Sequence, residues 1–112
     1  MPDTWETLAQ AIEEQRQVLA TYNGRPRAFC PHALGMKGDK RHVLVYQFDA
    51  ARRIGERPTT GWRCLEVDRL EDVSLHIGEW HTAPNVFNPQ TCLDQIDVVV
   101  SPFQQRRQPA AR

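Results

Sequence analysis

Residues in this chain repeatedly alternate between apolar and polar over short spans, and that period of two constrains the fold more than any other feature. It is clearest in Gly61-Trp62-Arg63-Cys64-Leu65-Glu66-Val67-Asp68-Arg69-Leu70. Arg63, Leu65 and Val67 fall on one face of a strand there, and Cys64, Glu66 and Asp68 on the other. The same alternation runs through Arg41 to Phe48, with Val43, Val45 and Gln47 on one side and His42, Leu44, Tyr46 and Phe48 on the other. Val73, Leu75 and Ile77 repeat it, Val18 to Tyr22 is strand-like, and Ile96 to Val100 reads as a late strand. Short strands so closely spaced join by antiparallel hairpins rather than by helical crossovers.

Local signals place the turns. Asn23-Gly24 is a hairpin dipeptide, followed by a return strand from Arg25 to Cys30 that Pro26 and Pro31 suit to an edge or bent position. Gly35 to Lys40 reads as the next turn, and a polar linker with Arg52, Arg53 and Arg57 leads to Thr60. Before the strands, Asp3 and Glu6 have capping-box spacing, and Trp5, Leu8, Ala9 and Ile12 recur with helical period, predicting a short amphipathic helix through about Gln17. The expected architecture is mainly β with a short N-terminal helix, a small antiparallel β-barrel. At 112 residues the chain suits one domain, expected over residues 1–100, with a disordered tail over 101–112.

Composition excludes several classes. Hydrophobic residues are 40 % and charged residues 25 %, which is globular, and no apolar run approaches the ~18 residues of a membrane span. The N-terminus has no basic-then-apolar leader, so a cytoplasmic location is expected. Three cysteines without a Cys-x-x-Cys argue for reduced thiols. Net charge is zero but blocked. Residues 1–22 hold four acids and one arginine, and residues 23–63 nine bases and three acids; residues 64–100 hold seven acids and one arginine, and the last twelve three arginines. A uniformly basic nucleic-acid binder is excluded, whereas a basic face on the fold is compatible with this pattern.

No catalytic signature is present. Gly35-Met36-Lys37-Gly38 lacks the spacing of a phosphate-binding loop, and Cys30-Pro31-His32 is a single ligand pair where zinc sites show two. The cysteines have no local base and orienter, so no enzyme, cofactor or metal is expected. Arg63 is the sharpest candidate. An arginine in the apolar row of a small barrel either pairs with a carboxylate at the rim or faces an anionic ligand, where its planar fork suits phosphate. Trp62, Tyr46 and Phe48 offer stacking surface. Asp68-Arg69 reads more simply as an architectural pair closing the strand end.

These residues also carry a resemblance. Tyr22 at a strand end, then Arg27, Pro31 and Leu34, with Arg63-Cys64-Leu65-Glu66-Val67-Asp68-Arg69-Leu70 downstream, resemble the WYL domain over residues 8–77. His42-Val43-Leu44 stands where that family has Trp-Tyr-Leu, and Glu66 replaces its second arginine. The resemblance implies an Sm-like, SH3-type barrel and a regulatory module of bacterial transcription factors. It also implies an anionic ligand, a nucleotide or single-stranded nucleic acid, in a basic and aromatic pocket. The matching positions make Arg63, Arg27, His42, Tyr46, Trp62 and Arg69 the expected ligand-binding set. Because only about seven residues precede the match, the expected form is a stand-alone module that signals through a separate DNA-binding or effector protein. The alternative is a protein–protein module, in which an exposed strand edge and the Trp80/Phe87 tail form a homo-oligomer or partner surface.

Overall fold

The computed structural model describes residues 3–50, 61–82 and 92–100. Helix α1 (Thr4–Glu14) precedes strands β1 (Gln17–Tyr22), β2 (Arg25–Lys37), β3 (Lys40–Ala50) and β4 (Gly61–Glu66). A 3₁₀ turn (Val67–Arg69) then leads into β5 (Leu70–His76), and β6 (Gln95–Val99) ends the described chain. The expected arginine-bearing linker at 52–57, Phe87 and the tail beyond residue 100 lie outside the described residues.

The helix starts as its sequence dictates. Glu6 N–H donates to the Asp3 carboxylate at 2.8 Å, and Asp3 N–H donates to the Glu6 side chain at 3.3 Å, which satisfies two of the donors that a helix start leaves open. Leu8, Ala11 and Ile12 face inward and are buried. The helix is shorter than its periodicity suggests. Gln15 turns left-handed at φ 54°, and Gln17 is already the first residue of β1.

All pairings are antiparallel, in the order β4-β3-β2-β1-β5, with β6 beside β2. Asn23 and Gly24 both have positive φ, 54° and 79°, the geometry that lets a two-residue hairpin follow the strand twist. The sheet has edges at β4 and β5, and no ladder joins the two among the described residues, so the architecture is a mainly β antiparallel sheet with one helix. Tyr22 reaches across this opening, its hydroxyl accepting from Glu66 N–H at 3.1 Å.

β2 departs most from expectation. It is central rather than an edge, and it runs through the anticipated Gly35–Lys40 turn to Lys37. Only Gly38 and Asp39 are left to reverse the chain. One side of β2 pairs with β3, while β1 takes residues 25–29 of the other side and β6 takes residues 33–36. Pro31 falls in the gap between β1 and β6, where the β3 register also shifts, so its missing N–H sits where the ladders are already interrupted. Gly35 serves close approach rather than turning. A Cβ there would lie 1.8 Å from the Gln95 carbonyl oxygen, so only glycine lets β6 cross.

The main core lies between α1 and the inner sheet face, built from Leu8, Ile12, Val18, Phe29, Leu34, Val43, Val45, Leu65 and Val67. A smaller cluster of Ala33, Leu44, Cys92 and Leu93 covers the outer face. The cysteines correct the expectation of reduced thiols: Cys64 and Cys92 form a disulfide, leaving Cys30 as a buried free thiol. A separation of 28 residues gave no local sign of this pairing.

Candidate anion-binding site

The inner face of the sheet is apolar for most of its length and becomes basic at one end. Register explains why. Arg27 pairs with Ala20, and Phe29 pairs with both Val18 and Gln47, so Arg25, Arg27 and Phe29 continue the row that lines the core. Gln47 extends the Val43 and Val45 row, and Arg63 extends the Leu65 row of β4.

Arg27 is half-buried and held from two directions. Its Nη1 donates to Gln47 Oε1 at 3.1 Å, and its guanidinium lies 5.2 Å from the centroid of the Tyr22 ring. Its Nε is buried with no hydrogen-bond partner among the described residues. Burial lowers the Arg27 pKa most; Tyr22 opposes this, and the like charges of Arg63 and Arg25 lower it further. Arg63 donates from Nη1 to the Trp62 carbonyl at 2.8 Å. Arg69 lies 5.6 Å from the Tyr22 ring and hydrogen-bonds the Asn23 side chain. Two of the expected residues, Arg27 and Arg69, therefore lie over the Tyr22 ring, and Arg63 is near enough to Arg27 to act on it as a like charge.

The other three do not join them. Tyr46 and Trp62 point to the outer face, where their rings meet edge-on at 5.3 Å. There Trp62 also packs against His32 at 4.8 Å, and Trp80 lies 4.7 Å from the same imidazole. His42 sits opposite Gly35 and Glu66, five residues or about 17 Å along β3 from Gln47, and faces the other side. The single basic and aromatic pocket implied by the sequence is thus divided between two faces. The phenol ring of Tyr22 supplies the aromatic surface on the basic side. Gln47 and Tyr22 are the site residues that sequence reasoning passed over. A glutamine continuing the Val43-Val45 row was the available signal, because a polar group in a core-facing row needs a partner there.

Asp68 and Arg69 act separately rather than as a pair. Asp68 accepts from Arg41 at 2.7 Å, while Arg69 reaches the β1–β2 hairpin, so together they tie the 3₁₀ turn to both sides of the sheet. On the outer face, the His32 Nδ1–H donates to the Cys30 carbonyl at 2.8 Å. Burial dominates that imidazole and pushes its pKa down to about 4, with the Cys30 carbonyl bond opposing. The Cys30 thiol is pushed up to about 11, again by burial, against the opposing bond from His81 N–H. Among the described residues, no group of three or more His, Cys, Asp and Glu side chains is placed to hold a metal. No helix is long and apolar enough to cross a membrane.

The site suits an anion: fixed donors in a fork geometry, a ring for stacking, and a cluster of like charges that a negative ligand would relieve. Neither a curated protein nor a solved structure matches the chain. The profile of the WYL domain family matches residues 3–75, about two thirds of the 112 and the whole span from the helix cap into β5, and the chain is a member of the WYL domain family.

Proposed function

We propose that this protein is a non-catalytic sensing module that binds an anionic ligand, a nucleotide or a short single-stranded nucleic acid, at the basic end of the inner sheet face. WYL domains occur in ligand- and nucleic-acid-sensing regulators and are generally regulatory rather than catalytic. The observation that carries the reading is Arg27. A guanidinium fixed by Gln47 and Tyr22 retains a buried Nε without a partner among the described residues and lies in the field of Arg63 and Arg25. Burying such a donor unsatisfied costs about 1–3 kcal/mol, a cost that a shift of the guanidinium toward a phosphate oxygen would relieve. Arg69, also beside the Tyr22 ring, supplies a second, more exposed charge. The finer expectations extend this reading: a closed Sm-like barrel, cytoplasmic action in bacterial transcription, and output through a separate DNA-binding or effector protein.

Fluorescence anisotropy with a labelled single-stranded oligonucleotide, at low and moderate salt, tests the reading. Binding should weaken as salt rises, because phosphate contacts release counterions. Arg27→Gln and Arg63→Glu should each reduce affinity at least about tenfold, in line with the loss of a charge-assisted hydrogen bond. Absence of binding at low salt, by the oligonucleotide and by a nucleoside triphosphate competitor alike, would refute it. So would unchanged affinity in Arg63→Glu.

A further inference from the structure

The disulfide joins two parts of the fold that no ladder connects. Among the described residues, β4 is an edge strand paired only with β3, and β6 pairs only with β2. Just before β6, Asp94 is secured to the β2–β3 hairpin, its N–H donating to the Met36 carbonyl at 2.7 Å and its carboxylate accepting from Gly38 N–H at 2.7 Å. Cys92 and Leu93 extend from that anchor over Ala33, Leu44 and Trp62 to reach Cys64 on β4. The two cysteines differ in access. Cys64 is exposed, whereas Cys92 and Leu93 are each only 1 % exposed.

We propose that Cys64–Cys92 is a thiol-responsive latch between the β6 arm and the edge strand β4. Oxidised, it fixes β4 and covers the Ala33–Leu44–Trp62 surface; reduced, it releases Cys92 and Leu93 and leaves β4 without its covalent tie to the β6 arm. The opening reaction is exchange with a dithiol. A reductant thiolate attacks the Sγ of Cys64, the more exposed residue of the pair, the S–S bond breaks, and Cys92 leaves as a thiolate that takes up a proton. The second thiol of the reductant then attacks the mixed disulfide, so the reductant departs oxidised and Cys64 is left as a thiol. Two electrons and two protons pass to the protein. Such a bond is kept closed in oxidising surroundings and opened where dithiols are held reduced, which gives the latch a physiological input. Cys30 does not interfere. It is fully buried, and its thiol is held protonated by burial, so exchange stays within the one pair.

Hydrogen exchange read by mass spectrometry on the folded protein, with and without dithiothreitol, tests the latch independently of any ligand. Reduction should speed exchange of the 61–66 and 92–94 amides at least about tenfold more than that of the β2–β3 amides, a local opening beyond the global loss of stability. The Cys64→Ser/Cys92→Ser double variant should match the reduced protein and ignore dithiothreitol. Equal protection in the two redox forms of the wild type would overturn the proposal. It would equally fall to an equal loss of protection throughout the sheet on reduction, or to two alkylatable thiols at Cys64 and Cys92 in the air-oxidised protein.

Discussion

Gly35→Ala isolates the docking of β6 on β2. Gly35 has an ordinary backbone conformation, so the substitution adds no left-handed strain, and its whole effect is steric. The new Cβ would stand 1.8 Å from the Gln95 carbonyl oxygen and 2.9 Å from its carbon. Backbone atoms do not approach a Cβ within 3.0 Å, so β6 must shift outward by more than an ångström. Such a shift breaks the Gly35–Ile96 register and strains the neighbouring Leu34–Val98 and Ala33–Val99 pairs. It also withdraws Val100, 1 % exposed, from the main core. Forcing atoms into a packed site costs about 1–3 kcal/mol, and two weakened ladder bonds add about 1 kcal/mol each. The expected loss is about 3–5 kcal/mol, read as a lowered urea midpoint with faster exchange across 95–100. Gly38→Ala is the control. Its Cβ would meet open space, and its φ of 63° costs about 1–2 kcal/mol through conformation alone. A Gly35→Ala loss below about 1 kcal/mol, or one no larger than that of Gly38→Ala, would refute the packing argument.

Stability should also depend on pH through His32. Its folded pKa of about 4 lies below the ordinary 6.5, so the unfolded chain binds the extra proton first as pH falls. The contribution is complete above pH 6.5 and is lost progressively between 6.5 and 4, about 3 kcal/mol in all, visible as a falling melting temperature that His32→Phe flattens. Phe29→Ala, emptying a fully buried ring position at the centre of the core, should cost about 3–5 kcal/mol by chemical denaturation. Cutting the disulfide with Cys64→Ser/Cys92→Ser should cost about 3–4 kcal/mol for a loop of this length, measured as a lower urea midpoint. Asp68→Ala removes an exposed ion pair with Arg41 and should change stability by less than about 1 kcal/mol.

The elements legible in the sequence are those set by local physics. The capping box, the helical period, the Asn23-Gly24 turn and the alternation of β3 and β6 each depend on neighbours within a few residues, and appear within a residue or two of where they were expected; the helix ends earlier, and β4 stops at Glu66, with Val67–Arg69 forming a 3₁₀ turn where the alternation had continued the strand. The Arg63 and Arg27 rows were likewise visible, because strand period alone assigns a side chain to a face. What the alternation could not show was which strands share an edge. Prolines in β2 suggested a sheet margin, yet β2 became central because its two partners on one side, β1 and β6, leave a gap where Pro31 sits. Gly35 read as a turn residue, although the passage of Gln95 is what requires it. Cys64 and Cys92 gave no pairing signal, since only the return of β6 to the sheet brings them together. The sequence by itself determined a helix-led antiparallel β module of the WYL family with a set of arginines. Strand pairing, in turn, brings Arg27 and Arg69 to the Tyr22 ring with Arg63 near Arg27, while Tyr46 and Trp62 lie on the opposite face. The reason is that strand order and register are long-range properties: one residue of shift moves a side chain from the inner surface to the outer.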